Sequence, residues 1–185
     1  MNRIRRKLLL TAGATVMALT LGPISYASDA IAPLRPRRFK FVHIDVFTLQ
    51  PLLGNPLDVF LDARGMSDAE MLAVTRETYL SEATFVFPRD PATEREHGIS
   101  VRIFMPDGEV PFAGHPTLGT ATVLRNLRLA SMSSIASSAA SLNEISLDLK
   151  VGKVPVTFLK DSLGHTFGEM RQVTPKFGAL HDKKA

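Results

Sequence analysis

Apolar and polar residues alternate in part over several short segments of the chain, a spacing typical of strands that bury one face. These segments are rich in β-branched and aromatic residues, and glycine, proline and asparagine lie between them. The sequence therefore predicts seven strands, at Phe39–Thr48, Leu57–Leu61, Thr84–Phe87, Ile99–Met105, Ile145–Lys150, Val154–Lys160 and Thr166–Val173.

Two other segments repeat their apolar residues at helical spacing. The first starts with a capping box formed by Ser67 and Glu70, and it is predicted to run to about Thr78. The second covers residues 117–126 and is strongly apolar, with Pro116 suited to its first turn. We predict an α+β fold, in which a curved, mostly antiparallel or mixed sheet wraps around this central apolar helix.

Small residues in the central helix and irregular segments between the predicted elements add detail to this predicted fold. Gly119 and Ala121 would let neighbouring elements approach the central helix closely. Three segments lack a regular spacing and are predicted as a turn, a surface loop and a flexible Ser/Ala-rich connection, at Pro106–Glu109, Arg89–Gly98 and Arg128–Asn143.

The N-terminal segment has the pattern of a secretory signal. Four basic residues precede the apolar stretch Leu8–Gly22, and small residues predict cleavage after Ala27. The adjacent Arg5 and Arg6 resemble a twin-arginine export signal, with ordinary secretion or an uncleaved anchor as alternatives. The predicted organisation is a signal peptide, a linker and a domain, at residues 1–27, 28–38 and 39–185. We expect a periplasmic or secreted protein without a stable membrane span if the signal is used, and a cytoplasmic protein otherwise.

Charge argues against a nucleic-acid-binding protein, and the cysteine content excludes functions that depend on a thiol. The formal net charge is +4, but residues 1–27 carry four basic and no acidic residues, so the remainder is neutral. The sequence therefore lacks the basic footprint of a nucleic-acid-binding protein, and the basic cluster that includes Arg37 is predicted as a solvated linker. No cysteine is present in the sequence, which excludes disulfides, thiolate metal sites and cysteine-based catalysis.

The start of the central helix is a candidate anion site. Gly114, His115 and Thr117 surround the first turn, where backbone N–H groups have no partner within the helix. Such groups, together with the helix dipole, can hold a substrate carboxylate. The alternative is an ordinary buried helix with His115 as a cap or a solvent-facing residue.

Glu82 is the candidate acid–base residue, because it lies at the entry of an apolar strand among uncharged residues. Apolar walls destabilise the charged form of a carboxyl group, which suits it to general acid–base work. The alternative is a glutamate exposed to water at a helix–strand corner. His43 and Asp45 share a strand face and could ligate a metal, but no third ligand is near, so a structural role is favoured.

Three motifs, taken in order, resemble the PhzF-like phenazine biosynthesis family, which has the diaminopimelate epimerase fold. They are Val46–Thr48 followed by Gly54–Leu57, then Leu80–Val86, then Ile103–Pro106 leading through Glu109–Phe112 to Ala113–Gly119. The resemblance runs from about Phe39 to Val173. It matches the first of the family's two similar halves, with the opening strands of the second, and the second half's acidic Pro-Ala-Thr-Gly-Ser-like motif has no counterpart here.

The resemblance implies a chemistry and a set of site residues. The family's characterised member isomerises trans-2,3-dihydro-3-hydroxyanthranilate by moving a proton, without a cofactor or metal. Glu82 matches its catalytic glutamate, His115 matches a substrate-contacting histidine, and Gly114 and Thr117 belong to the turn that would hold the substrate carboxylate. Asn55 matches a substrate-facing asparagine of the wider fold.

Two functions follow as expectations. The first is a cofactor-independent isomerase of a small cyclic carboxylate, with the family's cleft completed by another chain or by a homodimer. The second is a truncated, non-catalytic half-protein that binds a small anion or a partner.

Overall fold

Every strand in the described part of the chain joins one sheet, and the longest helix packs against it. The structure is a computed structural model that describes residues 37–132, 142–175 and 177–178. The strands are β1 Phe41–Val46, β2 Asn55–Phe60, β3 Ala83–Phe87, β4 Ile99–Met105, β5 Gly108–Val110, β6 Glu144–Leu149, β7 Gly152–Lys160 and β8 Thr166–Met170. The helices are α1 Asp68–Glu77, α2 Pro91–His97 and α3 Gly114–Met132.

The sheet is mixed and runs in the order β1-β2-β3-β4-β6-β7-β8, with β5 paired to β4. Two neighbouring pairs are parallel, β2 with β3 and β4 with β6, and the remaining pairs are antiparallel. Helix α3 contacts β1, β2, β3, β6 and β8, so the sheet curves around it. The predicted fold class is therefore confirmed.

The close packing of α3 depends on Gly119. A Cβ atom at this position would lie 2.6 Å from Leu57 Cδ2 and 2.7 Å from Val46 Cγ2. Both distances are shorter than a carbon–carbon contact allows, so only glycine lets the helix lie this close to β1 and β2. The apolar residues of α3 and of the inner sheet face form one buried cluster that includes Ala121 and Val123.

A second apolar cluster covers the opposite face of the sheet. Phe60, Phe85 and Phe104 lie side by side on three strands, with ring centroids 4.9 and 5.5 Å apart. Met71 of α1 is buried against this cluster. The capping box of α1 is present as predicted, because Ser67 Oγ accepts from the Glu70 N–H and Glu70 Oε2 accepts from the Ser67 N–H.

The predicted surface loop Arg89–Gly98 is wrong, because helix α2 occupies residues 91–97. Asp90 is its N-cap and accepts from the N–H groups of Ala92 and Thr93, and Pro91 opens the first turn. None of the seven helical residues is buried, so no apolar spacing marks this helix in the sequence.

Other boundaries differ from the prediction as well. Helix α3 begins three residues before the predicted start and continues to Met132, so the predicted flexible connection Arg128–Asn143 is helical over its first five residues. Residues 133–141 of that connection lie outside the described residues. The predicted turn Pro106–Glu109 contains the start of β5, a short strand that pairs with β4.

Of the predicted signal peptide and linker, the structure describes only the last two linker residues, Arg37 and Arg38. The predicted signal peptide and residues 28–36 of the predicted linker lie outside the described residues. Arg37, predicted to be solvated, is half-exposed and donates to Gly65 O at 2.5 Å, and it forms an ion pair with Glu70. None of the helices in the described ranges combines the length and the apolar character that crossing a membrane requires.

Candidate active site

Glu82 is placed by strand β3, which begins at the next residue. Alternate residues of a strand point to opposite faces of the sheet. Thr84 bonds to α3 and Val86 packs in the cluster around it, whereas Phe85 belongs to the opposite cluster. The same alternation directs Glu82 toward α3, and its side chain is only 14% exposed.

His115 comes from the first turn of α3 and faces the Glu82 carboxylate. His115 Nδ1 and Glu82 Oε2 lie 3.7 Å apart, and the histidine side chain is 8% exposed. This distance is too long for a direct hydrogen bond. The two groups are therefore enclosed together without satisfying each other.

Two polar atoms of this pair lack a hydrogen-bond partner within the described residues. They are Glu82 Oε2 and His115 Nε2, and both are inaccessible to solvent. Buried polar atoms of native proteins are almost always paired, so such atoms mark a place where a ligand or water completes the structure. A carboxylate and an imidazole in this state can exchange protons with a molecule bound beside them.

The helix terminus beside the pair has free backbone donors. Among the described residues, no acceptor lies within hydrogen-bond range of the N–H groups of Gly114 and His115, as expected in a first turn. Thr117 is buried, and its Oγ1 donates to Ala113 O at 2.7 Å. Gly114 lies beside Met170 of β8, whose Cε would be 3.5 Å from a Cβ at that glycine.

A buried hydrogen bond fixes the helix and the strand that carry the pair. Thr84 Oγ1 and Thr120 Oγ1 are 2.8 Å apart, and both side chains are fully buried. Thr84 follows Glu82 by two residues, and Thr120 lies about one and a half helical turns beyond His115. Sequence reasoning missed this contact, whose only signal is a threonine in each of two apolar elements.

Asn55 lies at the same sheet edge but is not joined to the pair. β2 and β3 run parallel with Asp58 opposite Ala83, so the starts of both strands meet at one edge. Asn55 opens β2, opposite Val46, and is half-buried. Within the described ranges, no hydrogen bond or ion pair connects it to Glu82 or His115, and its predicted role in substrate binding stays a prediction.

The residues considered for a metal have other partners. His43 Nδ1 is 2.7 Å from Asp58 Oδ1 on the neighbouring strand, and Asp45 Oδ2 accepts from the Leu52 N–H. Among the described residues, no group of three or more histidine and carboxylate side chains could hold a metal ion. The sequence expectation of a reaction without a cofactor stays a prediction.

Comparisons with known proteins identify the family of this chain. The PhzC-PhzF family, described as phenazine biosynthesis-like protein, matches residues 44–183. Trans-2,3-dihydro-3-hydroxyanthranilate isomerase of Pseudomonas aeruginosa is 45% identical over 85 residues, which are 46% of this chain and 29% of that protein. An uncharacterized isomerase of Mesorhizobium japonicum is 51% identical over 83 residues, 45% of this chain and 26% of that protein.

Solved structures extend the likeness to the fold. A predicted epimerase of Pseudomonas aeruginosa is 35% identical with a TM-score of 0.60, and the match covers 79% of this chain and 46% of that one. The chain thus spans less than half of this solved structure, and less than a third of the two curated relatives. The family match covers more than two thirds of the residues, from β1 to beyond β8. The chain therefore belongs to the PhzC-PhzF family of phenazine biosynthesis-like proteins.

Proposed function

We propose that this chain is the N-terminal half of a cofactor-independent isomerase that moves a proton on a small cyclic carboxylate. The observation that carries the proposal is the enclosed pair of Glu82 and His115, with an unpartnered atom on each side chain. A relative named trans-2,3-dihydro-3-hydroxyanthranilate isomerase supports this substrate class, since that compound is itself a cyclic carboxylate.

Glu82 acts as both base and acid in this proposal. Its carboxylate removes a proton from one ring carbon, and the C–H electron pair moves into the ring as the double bond shifts. The resulting carboxylic acid returns the proton to a second carbon, so the carboxylate is regenerated and the atoms balance. One carboxyl group can perform both steps because its two protonation states alternate within a turnover.

The first turn of α3 binds the substrate. The N–H groups of Gly114 and His115 lie at the positive end of the helix dipole and donate hydrogen bonds to the substrate carboxylate. The His115 ring donates through Nε2 to a polar substituent of the ring, which fixes the reacting carbons near Glu82. Thr117 supports this turn through its bond to Ala113 O.

In this proposal a partner surface docks on the sheet edge that carries Glu82. Three exposed apolar residues surround the sheet edge that carries Glu82, namely Phe47, Leu52 and Tyr79, which are here called the apolar rim. They are the non-glycine residues of the described chain with positive φ, at 65°, 66° and 56°. Exposed apolar side chains on strained backbone are typical of an interaction surface, and a second copy or a second chain docked there completes the cleft.

Proton exchange with solvent tests this function. The protein is incubated with trans-2,3-dihydro-3-hydroxyanthranilate in D2O, and product formation and deuterium uptake at carbon are followed by NMR. We expect Glu82→Gln to lower turnover by about 10²–10⁴-fold, because the amide cannot take up a proton. Glu96→Gln, at an exposed carboxylate of α2, is the matched control and should keep full turnover.

Two results would overturn the proposal. One is unchanged turnover in Glu82→Gln with the fold retained, as judged by urea unfolding. The other is a native protein that forms no product at any concentration at which it associates.

The second candidate is a non-catalytic half-protein that binds a small anion or a partner. The exposed apolar rim favours it, because that surface can bind a partner without any reaction. Anion binding at the α3 terminus, measured with benzoate and reduced in His115→Asn but accompanied by no deuterium exchange, would select this candidate.

A further inference from the structure

Met170 is the last residue of strand β8 and lies beside the first turn of α3. Pairing with β7 holds its backbone, because Met170 is opposite Val156 and the N–H of the next residue, Arg171, donates to Pro155 O at 3.2 Å. Gly168, two residues earlier, lies against α3. Alternate residues of a strand share a face, so the Met170 side chain is directed toward α3 as well.

The methyl group of Met170 borders the space beside Gly114. A Cβ at this glycine would lie 3.5 Å from Met170 Cε, which is an ordinary contact distance. Apart from the chain neighbours of Gly114 and its own helix backbone, no other atom of the described residues lies within 4 Å of that position. A helical Cα–Cβ bond tilts toward the N-terminus, so this space lies on the side of the free N–H groups of Gly114 and His115. A ligand that binds these N–H groups therefore has the Met170 thioether as an apolar neighbour.

The same helical turn carries a second, independent sign of a ligand. The His115 side chain is 8% exposed, and its buried Nε2 has no hydrogen-bond partner among the described residues. Buried polar atoms of native proteins are almost always paired, so this nitrogen calls for a partner from outside the described chain. Hydrogen-bond donors next to an apolar side chain suit a ligand that joins a polar group to an apolar body.

We propose that Met170 is a specificity-determining residue of this site, and that it selects carboxylates whose body is a flat, unsaturated ring. The inference rests on the proposed function, since it takes the first turn of α3 as the place where the substrate carboxylate binds. It adds a third element to the site, because β8 then contributes a side chain beside those of Glu82 and His115.

The thioether of Met170 suits a flat ring for two reasons. Its sulfur and methyl group are polarisable and make favourable contacts with an unsaturated ring, often at the ring edge, whereas a saturated ring has no π-electrons for such a contact. The side chain is also unbranched, so it can follow the ring while the carboxylate stays on the N–H groups of the helix. A branched aliphatic side chain of similar volume would keep the apolar surface and lose the contact with sulfur.

Binding of two carboxylates to the full chain tests the proposal. Benzoate and cyclohexanecarboxylate carry the same charge and a ring of the same number of carbons, but only the ring of benzoate is flat and unsaturated. Calorimetric titration gives the ratio of their dissociation constants for the native chain and for Met170→Leu, which nearly conserves the side-chain volume. We expect the preference for benzoate to fall by about threefold to tenfold in Met170→Leu.

Met66→Leu is the matched control for this substitution. Met66 is also partly buried, but it packs against the aromatic cluster on the opposite face of the sheet. This variant should therefore keep the native preference for benzoate, and urea unfolding should show that both variants retain the fold.

Methyl NMR gives a second readout, which reports the contact in the native chain. In protein with isotope-labelled methionine methyl groups, the signal of Met170 is the one that is missing from Met170→Leu. This signal should move when benzoate is added, because the ring current of a flat ring acts on nuclei in contact with it. Cyclohexanecarboxylate has no ring current and should move the signal less.

The outcomes distinguish this inference from the proposed function. If the native chain binds both carboxylates but Met170→Leu keeps the native preference, or benzoate leaves the Met170 signal unmoved, the role of Met170 is overturned while the anion site stands. If the native chain binds neither carboxylate, the anion site at α3 is overturned, and the proposed function and this inference are both lost with it.

Discussion

The hydroxyl groups of Thr84 and Thr120 lie 2.8 Å apart in the interior and tie β3 to α3. Glu82 directly precedes β3 and His115 lies in the first turn of α3, and Glu82 Oε2 is 3.7 Å from His115 Nδ1. The hydrogen bond between the two threonines therefore helps to hold Glu82 and His115 at this separation, although neither threonine contacts the site.

Thr84→Val should lower the free energy of unfolding by about 1–3 kcal/mol, because it leaves the Thr120 hydroxyl buried without its partner. Urea unfolding measures the loss. The double variant Thr84→Val with Thr120→Val removes both polar groups and should recover part of the stability, so an additive loss would show that the two hydroxyls do not interact.

Gly119→Ala should destabilise the fold by about 1–3 kcal/mol, although alanine is the better helix former. The added methyl group would meet Leu57 and Val46 at 2.6 and 2.7 Å, so α3 would have to move away from the sheet. Thermal unfolding provides the measurement, and Gly178→Ala, with open space around the new methyl group, is the control. Equal stability of the two variants would mean that α3 moves at no cost.

Glu109→Gln should lower stability at neutral pH and flatten the acid limb of the stability curve. Arg102 donates two hydrogen bonds to this carboxylate, at 2.9 and 2.8 Å, and Lys150 donates a third. The hydrogen bonds from Arg102 are the main reason that the pKa of Glu109 lies below its usual value of 4.5, and the bond from Lys150 adds to this effect. Burial of the carboxyl group opposes it.

The direction of the pH dependence of stability follows from this lowered pKa of Glu109. The contribution of Glu109 is complete above the ordinary glutamate pKa and is lost as the pH falls through the lowered value in the folded state. We expect a loss of about 1.5–3 kcal/mol in Glu109→Gln at pH 7, shrinking below pH 4.5, in urea unfolding measured across pH. A difference that stays constant down to pH 3 would contradict this account.

Leu52→Asn and Tyr79→Asn should weaken self-association without unfolding the protein. Both residues are exposed, at 87% and 93%, and asparagine tolerates the positive φ that they adopt. Sedimentation velocity should show a shift toward the monomer, with unfolding free energies within about 0.5 kcal/mol of the native value or above it. Native-like association in both variants would exclude the apolar rim as the contact surface.

Local patterns predicted much of the fold. β4 has the predicted bounds Ile99–Met105, because its apolar residues alternate and a Pro-Asp-Gly turn follows. The capping box at Ser67 placed the start of α1 for a similar local reason. Helix α2 was not predicted, because an exposed seven-residue helix has no apolar face. Only Asp90 and Pro91 mark its start.

The candidate site could be predicted only in part. Glu82 and His115 are separated by 33 positions in the chain, and no spacing rule brings such residues together. The sequence pattern indicated a possible role for each residue separately, and only the family resemblance predicted that they share one active site. The unpartnered atoms and the bond between Thr84 and Thr120 depend on how α3 packs against β3, which the sequence pattern does not specify.

The two parallel junctions of the sheet have a consequence for how the chain folds. They divide it into β1–β2, β3–β4–β5 and β6–β7–β8, and within each part the pairs are antiparallel and close in sequence. Pairs that are close in sequence form faster than the contacts between distant residues that join the three parts. Helix α3 contacts all three parts, so we expect its docking to join them into one cooperative structure.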